Sequence, residues 1–159
     1  MKQVKVYSVI LMPQLGQYLV TLEEEQGIRL IPIWVGPAEG MAIGAKLNKQ
    51  SFPRPITHDL LTDIFAKLKV KLEKVTVTDL KDSTFYATIT IASGKKTYEV
   101  DSRPSDAIAL AIRNGSPIFV EDIVFDKCPV IQKPITADEI KDFKKDLENL
   151  KPEDFFKET

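Results

Sequence analysis

The sequence predicts an α+β fold made of duplicated strand-strand-strand-helix units with a largely antiparallel sheet, plus a C-terminal amphipathic helix. The first observation is a repeat: residues 37–44 align with residues 104–111 as proline, small, acid, small, apolar, alanine, apolar, small. The second is that strand-like segments separated by turn residues precede both prolines. We expect halves at about residues 1–50 and 68–115. The alternative is that any strand-to-helix turn favours proline and then an acid.

Three strands are predicted in the first half. Residues 4–12 alternate apolar and polar side chains and then become fully apolar, which is typical of a strand that enters a core. Residues 18–24 and 28–35 form the next two strands, separated by a turn at Gln26 and Gly27. Pro32 lies inside the third strand and cannot donate to a β-ladder, so we expect an edge position or a bulge there.

Two helices are predicted to follow these strands. Pro37 begins the first helix, whose small residues would let another backbone approach closely: Gly40, Ala42, Gly44 and Ala45. Thr57 is the predicted N-cap of the second helix. The apolar face of this second helix contains Leu60, Leu61, Ile64, Phe65 and Leu68.

The second half repeats the order of the first. Residues 71–79, 85–91 and 97–101 read as strands because apolar and polar side chains alternate along them. Pro104 begins a strongly apolar helix that Gly115 is predicted to end. Residues 117–120 then form a short, buried strand.

The C-terminal segment contains a capping box formed by Thr136 and Glu139. It predicts an amphipathic helix over residues 136–150. We therefore expect a domain over residues 1–124 and a C-terminal extension over residues 125–159.

Composition and charge exclude several classes of protein. The formal net charge is −1, whereas proteins that bind duplex nucleic acid tightly usually have a basic surface. Cys128 is the one cysteine, so an intrachain disulfide and a zinc site of several cysteines are excluded, and a small apolar filler is the favoured reading. We expect a cytoplasmic protein without membrane association, because the chain has no signal peptide and no apolar run that could span a bilayer.

His58 and Asp59 form the first polar pair that could carry chemistry. His58 is the one histidine, so any proton transfer by imidazole must use it. A neighbouring histidine and carboxylate also suit a divalent metal ion. The alternative is structural, because both residues fit the first turn of a helix and Asp59 would complement its dipole.

Residues 101–106 are the densest polar cluster, at the point where a strand leads into a helix. Such a helix start binds anions, and Arg103 could hold a phosphate with two hydrogen bonds. Asp101 and Asp106 could hold a divalent metal ion. Glu39 occupies the place equivalent to Asp106 in the first half. The alternative is that these side chains only satisfy the first turn of each helix.

Three motifs, at residues 31–39, 54–61 and 101–111, together resemble the bifunctional nuclease (BFN) domain family, as does the segment 79–87. The likeness covers residues 1–124 in the same order, and the family name reflects activity on both DNA and RNA. The resemblance implies a nuclease, assisted by a divalent metal ion such as Mg²⁺ or Mn²⁺. The residues that match the motifs are Glu39, Arg54, Thr57, His58, Asp59, Asp101, Arg103, Ser105 and Asp106.

The motif matches imply roles in cleaving nucleic acid. The catalytic set would contain His58, Asp59, Asp106 and Glu39. The substrate-binding set would contain Arg54, Arg103, Ser105 and Thr57, and the metal site Asp101 and Asp106. This mechanism requires His58 to lie within roughly 4–6 Å of a carboxylate of Glu39, Asp101 or Asp106.

The alternative is a non-catalytic, dimeric interaction or regulatory module, in which the motif residues are caps and interface contacts. We expect a homodimer in either case. Phe155, Phe156 and the small-residue face of the helix after Pro37 offer much apolar surface for a chain of this length.

Overall fold

A computed structural model describes residues 1–129, 131–134 and 136–151. The strands are β1 (Lys2–Met12), β2 (Gln17–Glu24), β3 (Arg29–Val35), β4 (Val70–Lys81), β5 (Thr84–Ser93), β6 (Lys96–Ser102), β7 (Ile118–Val120) and β8 (Ile131–Gln132). The helices are α1 (Pro37–Leu47), α2 (Thr57–Lys67), α3 (Pro104–Asn114), α4 (Asp122–Lys127) and α5 (Ala137–Glu148). None of these helices is long and apolar enough to cross a bilayer.

The strands form one sheet in the order β6-β5-β4-β7-β1-β2-β3-β8. Strands β1–β3 form one antiparallel meander and β4–β6 form another. The short strand β7 joins the two, because it pairs antiparallel with β1 and parallel with β4. Each meander is followed by a helix that begins with proline, α1 or α3. The predicted duplicated α+β fold with a largely antiparallel sheet is therefore confirmed.

Helices α1, α2 and α3 pack together against the sheet. Helix α3 contacts α1, α2, β4 and β5, so it lies at the centre of this layer. Ile43 of α1 and Ile108 of α3 are fully buried in the same apolar core as Val20 and Val75 of the two meanders. The two halves consequently share one core.

Helix α5 covers the opposite side of the first meander. Leu147 packs with Met12 and Leu19 in a second, smaller apolar cluster. The Thr136 hydroxyl accepts a hydrogen bond from the Glu139 amide at 3.2 Å, and the Glu139 carboxylate accepts one from the Thr136 amide at 3.2 Å. The predicted capping box and C-terminal helix are confirmed, although the helix ends at Glu148.

Pro32 lies at an open stretch of the sheet edge. Strand β8 pairs with β3 only at Arg29 and Leu30, so from Ile31 onward β3 has no strand on its outer side among the described residues. This agrees with the predicted edge position, since a proline in a strand is tolerated where no ladder hydrogen bond is needed.

The small residues of α1 are used inside the chain. Gly40, Ala42 and Ala45 are buried, and the Gly40 backbone lies directly against the side chain of Tyr18 in β2. Strand β2 and helix α3 contact α1 within the chain, so only part of this small-residue face is open, and the expected homodimer stays a prediction. Phe155 and Phe156, the other basis for that expectation, lie outside the described residues.

A pair of glycine substitutions in α1 tests this packing. A Cβ at Gly40 would overlap the Cβ and ring of Tyr18, so Gly40→Ala should lower the free energy of unfolding by about 1–3 kcal/mol. A Cβ at Gly44 meets only Val9 Cγ1 at 3.9 Å, so the matched Gly44→Ala should stabilise the protein by up to about 1 kcal/mol. Urea unfolding measures both; equal effects of the two substitutions would contradict the packing.

Candidate functional site

The first turns of α1, α2 and α3 are joined by a chain of four polar side chains. Arg103 Nη2 donates to Glu39 Oε1 at 2.7 Å, and Arg103 Nε donates to Asp106 Oδ2 at 2.9 Å. The other oxygen of Asp106 lies 2.9 Å from His58 Nε2. We call Glu39, Arg103, Asp106 and His58 the helix-start cluster. Helix α1 contributes Glu39, α2 contributes His58, and the start of α3 contributes the other two.

His58 lies as close to a carboxylate as the predicted nuclease mechanism requires. Its separation from Asp106 is well inside the range of direct coupling between such groups. An ionised carboxylate only accepts hydrogen bonds, so Nε2 is the donor to such a group, and in an uncharged imidazole with this tautomer Nδ1 is the acceptor. The residue is buried, with 7% of its surface exposed, and Nδ1 makes no hydrogen bond within the described part of the chain. Its position is confirmed, while its catalytic role stays a prediction.

Arg103 is the cation at the centre of the cluster. The bond to Asp106, followed by the bond to Glu39, raises the pKa of the guanidinium above its usual value. The side chain is 66% exposed, and Nη1 has no partner among the residues described. Arg103 therefore retains donors that face solvent.

The two halves differ at the position of this arginine. In the repeat, the residue equivalent to Arg103 is Gly36, one position before the proline. A Cβ at Gly36 would lie 2.6 Å from Glu39 Oε2, so glycine leaves the room that the Glu39 carboxylate occupies beside Arg103. One arginine thus serves the acids of both halves.

Asp59 belongs to a second ion pair, outside the helix-start cluster. Its Oδ1 accepts from Arg113 Nε at 2.8 Å and its Oδ2 accepts from the Ile56 amide at 3.2 Å. The bond from Arg113 is the largest cause that lowers the pKa of Asp59. The Asp59 carboxylate makes no hydrogen bond or ion pair with the four side chains of the cluster, so the geometry gives its predicted catalytic role no support.

Arg113 is the residue that the sequence patterns do not single out. Its side chain is only 5% exposed, and it also donates to the carbonyl oxygens of Ala109 at 3.0 Å and Ala42 at 3.1 Å. It thereby ties α3 to α1 and α2. The sequence feature that could have identified Arg113 is its charge, because it directly follows the small and apolar residues 107–112.

Thr57 is not the N-cap of α2, so that expectation is wrong. The Ile56 carbonyl accepts the first helical bond, from the Leu60 amide at 2.9 Å, and Ile56 is therefore the cap residue. The Asp59 carboxylate satisfies the Ile56 amide in place of a threonine hydroxyl. Arg54, in the loop before α2, is exposed and makes no hydrogen bond or ion pair with residues 1–129, 131–134 or 136–151.

Asp101 lies away from Asp106. In the β5–β6 register, Ser102 is opposite the buried Ala87, and Asp101 is opposite Thr88. Because side chains alternate along a strand, Asp101 is on the sheet face opposite the one that carries Ala87 and the helices. The register gives no support to a metal site shared by Asp101 and Asp106.

The other acidic, histidine and cysteine side chains of the described residues also fit a divalent metal ion poorly. Within the described ranges, no group of three histidine, cysteine or acidic side chains is placed to hold a metal ion. In the helix-start cluster, the guanidinium of Arg103 occupies the position between two carboxylates that a cation would take. Burial raises the pKa of the Cys128 thiol to about 12, which makes it an unreactive core residue.

Ser105 and Arg103 line a cleft of about 250 Å³. The opposite walls are the end of β3 with Gly36 and the turn between β4 and β5. Ser105 is 7% exposed, in the first turn of α3. Two predicted substrate-binding residues therefore share one concave surface beside the cluster, while Arg54 and Thr57 do not line it.

Comparison with known proteins shows the family to which this chain is related. The family model of the bifunctional nuclease domain matches residues 20–143. A Mycobacterium tuberculosis protein described as uncharacterized is 35% identical over 164 aligned positions, which cover 98% of each chain. Bifunctional nuclease 1 of Oryza sativa subsp. indica is 26% identical over 107 positions, which cover 65% of this chain and 32% of the rice protein.

Replacing Arg113 tests the second ion pair. Arg113→Met removes the partner of Asp59 and the side-chain donor to two helical carbonyls, so we expect a loss of about 1–3 kcal/mol in the free energy of unfolding. Arg54→Met removes the same charge without removing a bond and should change stability by less than about 0.5 kcal/mol. Equal losses would contradict the structural role of Arg113.

The stabilising effect of Arg113 should depend on pH. Because Arg113 lowers the pKa of Asp59 in the folded protein, this stabilisation is present above the unfolded pKa of about 3.9 and is lost as the pH falls through the lower, folded value. The difference in stability between the wild type and Arg113→Met should narrow below about pH 4. Urea unfolding at neutral and acidic pH measures it; a difference that widens on acidification would show the opposite linkage.

Proposed function

Because the chain belongs to the bifunctional nuclease domain family, we propose that it is a nuclease that hydrolyses phosphodiester bonds of DNA, RNA or both. The observation that carries the proposal is the contact of 2.9 Å between His58 Nε2 and Asp106 Oδ1, beside the exposed guanidinium of Arg103. An imidazole oriented by a carboxylate, next to a cation, combines the groups that phosphodiester hydrolysis needs. A cytoplasmic location stays part of this proposal.

Each member of the cluster has a distinct role in the proposed reaction. Water attacks phosphorus, the bond to the leaving ester oxygen breaks, water loses a proton and the leaving oxygen gains one. His58 moves a proton through Nδ1, and Asp106 orients the imidazole through its bond to Nε2. Arg103 stabilises the negative charge on the phosphoryl oxygens, and Glu39 fixes the position of Arg103.

Substrate contacts supplement the cluster. Arg54 is exposed and unpaired within the described ranges, so it is available to a phosphate outside the cleft. The chain has 22 basic and 23 acidic residues, so nucleic acid must be held by a few local cations rather than by overall charge. Assistance by Mg²⁺ or Mn²⁺ remains open to assay, and no step is derived through a metal because the donor set does not fit one.

The nuclease proposal is tested by cleavage of labelled DNA and RNA, with and without Mg²⁺, Mn²⁺ or a chelator. His58→Gln keeps a polar side chain but cannot move the proton, so the cleavage rate should fall by roughly 100-fold or more. Asp106→Asn should cause a comparable loss because it disturbs the imidazole and Arg103 together. Asp63→Asn is the matched control, since Asp63 is an exposed acid of α2 without a partner in the described chain.

Two outcomes would overturn the proposal. A wild-type protein that cleaves neither DNA nor RNA under any of these conditions would remove the activity itself. Cleavage that His58→Gln leaves at the wild-type rate, in a folded variant, would assign the activity elsewhere.

A second candidate, a dimeric interaction module, is favoured by an exposed apolar stripe on α2 and its C-cap residue. Leu60, Ile64 and Leu68 follow one another at intervals of four residues and are 53%, 41% and 66% exposed. Residues with this spacing lie on one side of a helix, while Leu61 and Phe65 on the other side pack into the core. We propose that this stripe joins two copies of the chain, because apolar stripes of this kind commonly mark protein interfaces.

Sedimentation tests the proposed homodimer. The wild type should sediment as a dimer at micromolar concentration, and Leu60→Glu with Ile64→Glu should convert it to a monomer, because charges within the buried interface lose their hydration. Ala66→Glu introduces the same charge at an exposed position on the other side of the helix and should leave the dimer intact. A wild-type monomer at this concentration would exclude a dimer of this strength.

A further inference from the structure

One end of the second meander carries five exposed lysines and no acid. The end of α2 and the start of β4, residues 66–72, contain three of them, and the turn between β5 and β6, residues 93–98, contains two. We call them the basic end: Lys67, Lys69, Lys71, Lys95 and Lys96. None of the five forms an ion pair within the described part of the chain, so their charges are available to an anionic partner.

The strand register places the two segments side by side. Ser93 of β5 is opposite Val70 of β4 on one side and opposite Lys96 of β6 on the other. Neighbouring strands lie about 4.8 Å apart, so the backbones at Val70 and Lys96 are separated by about 10 Å. Lys69 and Lys71 directly flank Val70 in the chain. The lysines of both segments therefore share one end of the sheet.

The basic end is a local exception to the overall charge. Of the 22 basic residues, its five lysines leave 17 against all 23 acidic residues. The acids that come nearest along the chain, Asp63, Glu73 and Glu99, lie outside both segments. A concentrated positive charge of this kind attracts a polyanion, because several ammonium groups together replace the counterions of its phosphates.

Strand β6 leads from the basic end to the helix-start cluster. Lys96 begins the strand, Arg103 directly follows it, and the strand spans about 20 Å. It is the last strand of the sheet, so no described strand pairs with its outer edge. Tyr98 is 47% exposed and lies on the same face of β6 as Lys96, while Glu99 and Asp101 lie on the opposite face. The face that carries the helices thus has cations at both ends of β6 and an exposed aromatic ring between them.

From this arrangement we propose that the basic end binds the phosphate backbone of a single-stranded nucleic acid, which runs along β6 to the helix-start cluster. The lysines hold phosphates away from the cleaved bond, and Tyr98 stacks on a base between the two places. An anionic membrane would also attract lysines, but cations and an aromatic ring along one strand suit a linear polyanion. The inference rests on the proposed nuclease function and adds the surface that holds the substrate.

Binding is tested on the full chain with a single-stranded DNA whose linkages resist hydrolysis. The triple variant Lys69→Gln, Lys71→Gln and Lys96→Gln should bind at least about tenfold more weakly at about 0.1 M salt. The slope of log affinity against log salt should also become shallower by about 2, since each phosphate contact contributes about 0.7.

The matched control removes the same charge from exposed positions of α5, through Lys141→Gln, Lys144→Gln and Lys145→Gln. This variant should bind as the wild type does. Equal losses in the two triple variants would show that only the net charge matters and would overturn the inference.

Lys69 offers a variant in which binding and stability change in opposite directions. Its φ of 56° lies in the left-handed region that favours glycine, so Lys69→Gly should raise the urea concentration at the midpoint of unfolding. The same change should weaken binding by roughly threefold or more, because one phosphate contact is lost. A more stable variant with unchanged affinity would contradict the assignment of Lys69.

Two tyrosines test the path of the strand. Tyr98→Ala should weaken binding by roughly tenfold, since stacking on one base is lost. Tyr86→Ala is the control, because Tyr86 is 43% exposed but lies on the opposite face of the sheet. Equal effects of the two changes, or tighter binding of the duplex of the same sequence, would overturn the single-strand path. Tighter binding to vesicles of phosphatidylcholine and phosphatidylserine would assign the basic end to a membrane instead.

The two proposals can fail separately. Binding that depends on the basic end, in a protein that cleaves no nucleic acid, would remove the nuclease proposal alone. Cleavage that the lysine triple variant of the basic end performs with an unchanged KM would remove the binding surface alone.

Discussion

The arrangement of the site depends on one guanidinium that lies between two carboxylates. Arg103 binds Glu39 from the first half and Asp106 from the second, and Asp106 in turn binds His58. Exposed ion pairs contribute only about 0–1 kcal/mol to stability, and the Arg103 side chain is 66% exposed. The cluster therefore contributes little to folding. Its effect is geometric, because it fixes three helix starts and one imidazole relative to each other.

Stability at the same junction comes from a different arginine. Arg113 is buried and donates to Asp59 and to carbonyls of α1 and α3, so its loss removes three hydrogen bonds that join the helices. The two arginines therefore have different roles. Arg113 holds the helices together below the surface, and Arg103 presents donors to the cleft above.

The fold could be predicted from the sequence further than the site could. The repeat of proline and acid at positions 37 and 104, with three strands before each, was enough to predict both meanders and their helices. The place of β7 between β1 and β4 could not be predicted, because strand pairing across the halves depends on the packed core rather than on local pattern.

The candidate site could also be predicted only in part, because its contacts depend on tertiary packing. His58 and Asp106 could be predicted to meet because each lies in the first turn of a helix with an apolar face, so both can gather at one rim of the sheet. Asp59 could not be separated from His58 by sequence, since adjacent residues of a first turn point in different directions and only tertiary contact with Arg113 reveals the difference. Asp101 shares a motif with Asp106, but strand alternation places it on the other face. Adjacency in a motif therefore does not establish a shared site.

A double-mutant cycle measures whether Arg103 couples the acids of the two halves. The free energy of unfolding would be measured in urea for the wild type, Glu39→Gln, Asp106→Asn and the double variant. Because both carboxylates bind the same guanidinium, the change in the double variant should differ from the sum of the single changes by at least about 0.5 kcal/mol. Additivity within about 0.3 kcal/mol would show that the two acids act independently and would contradict their coupling through Arg103.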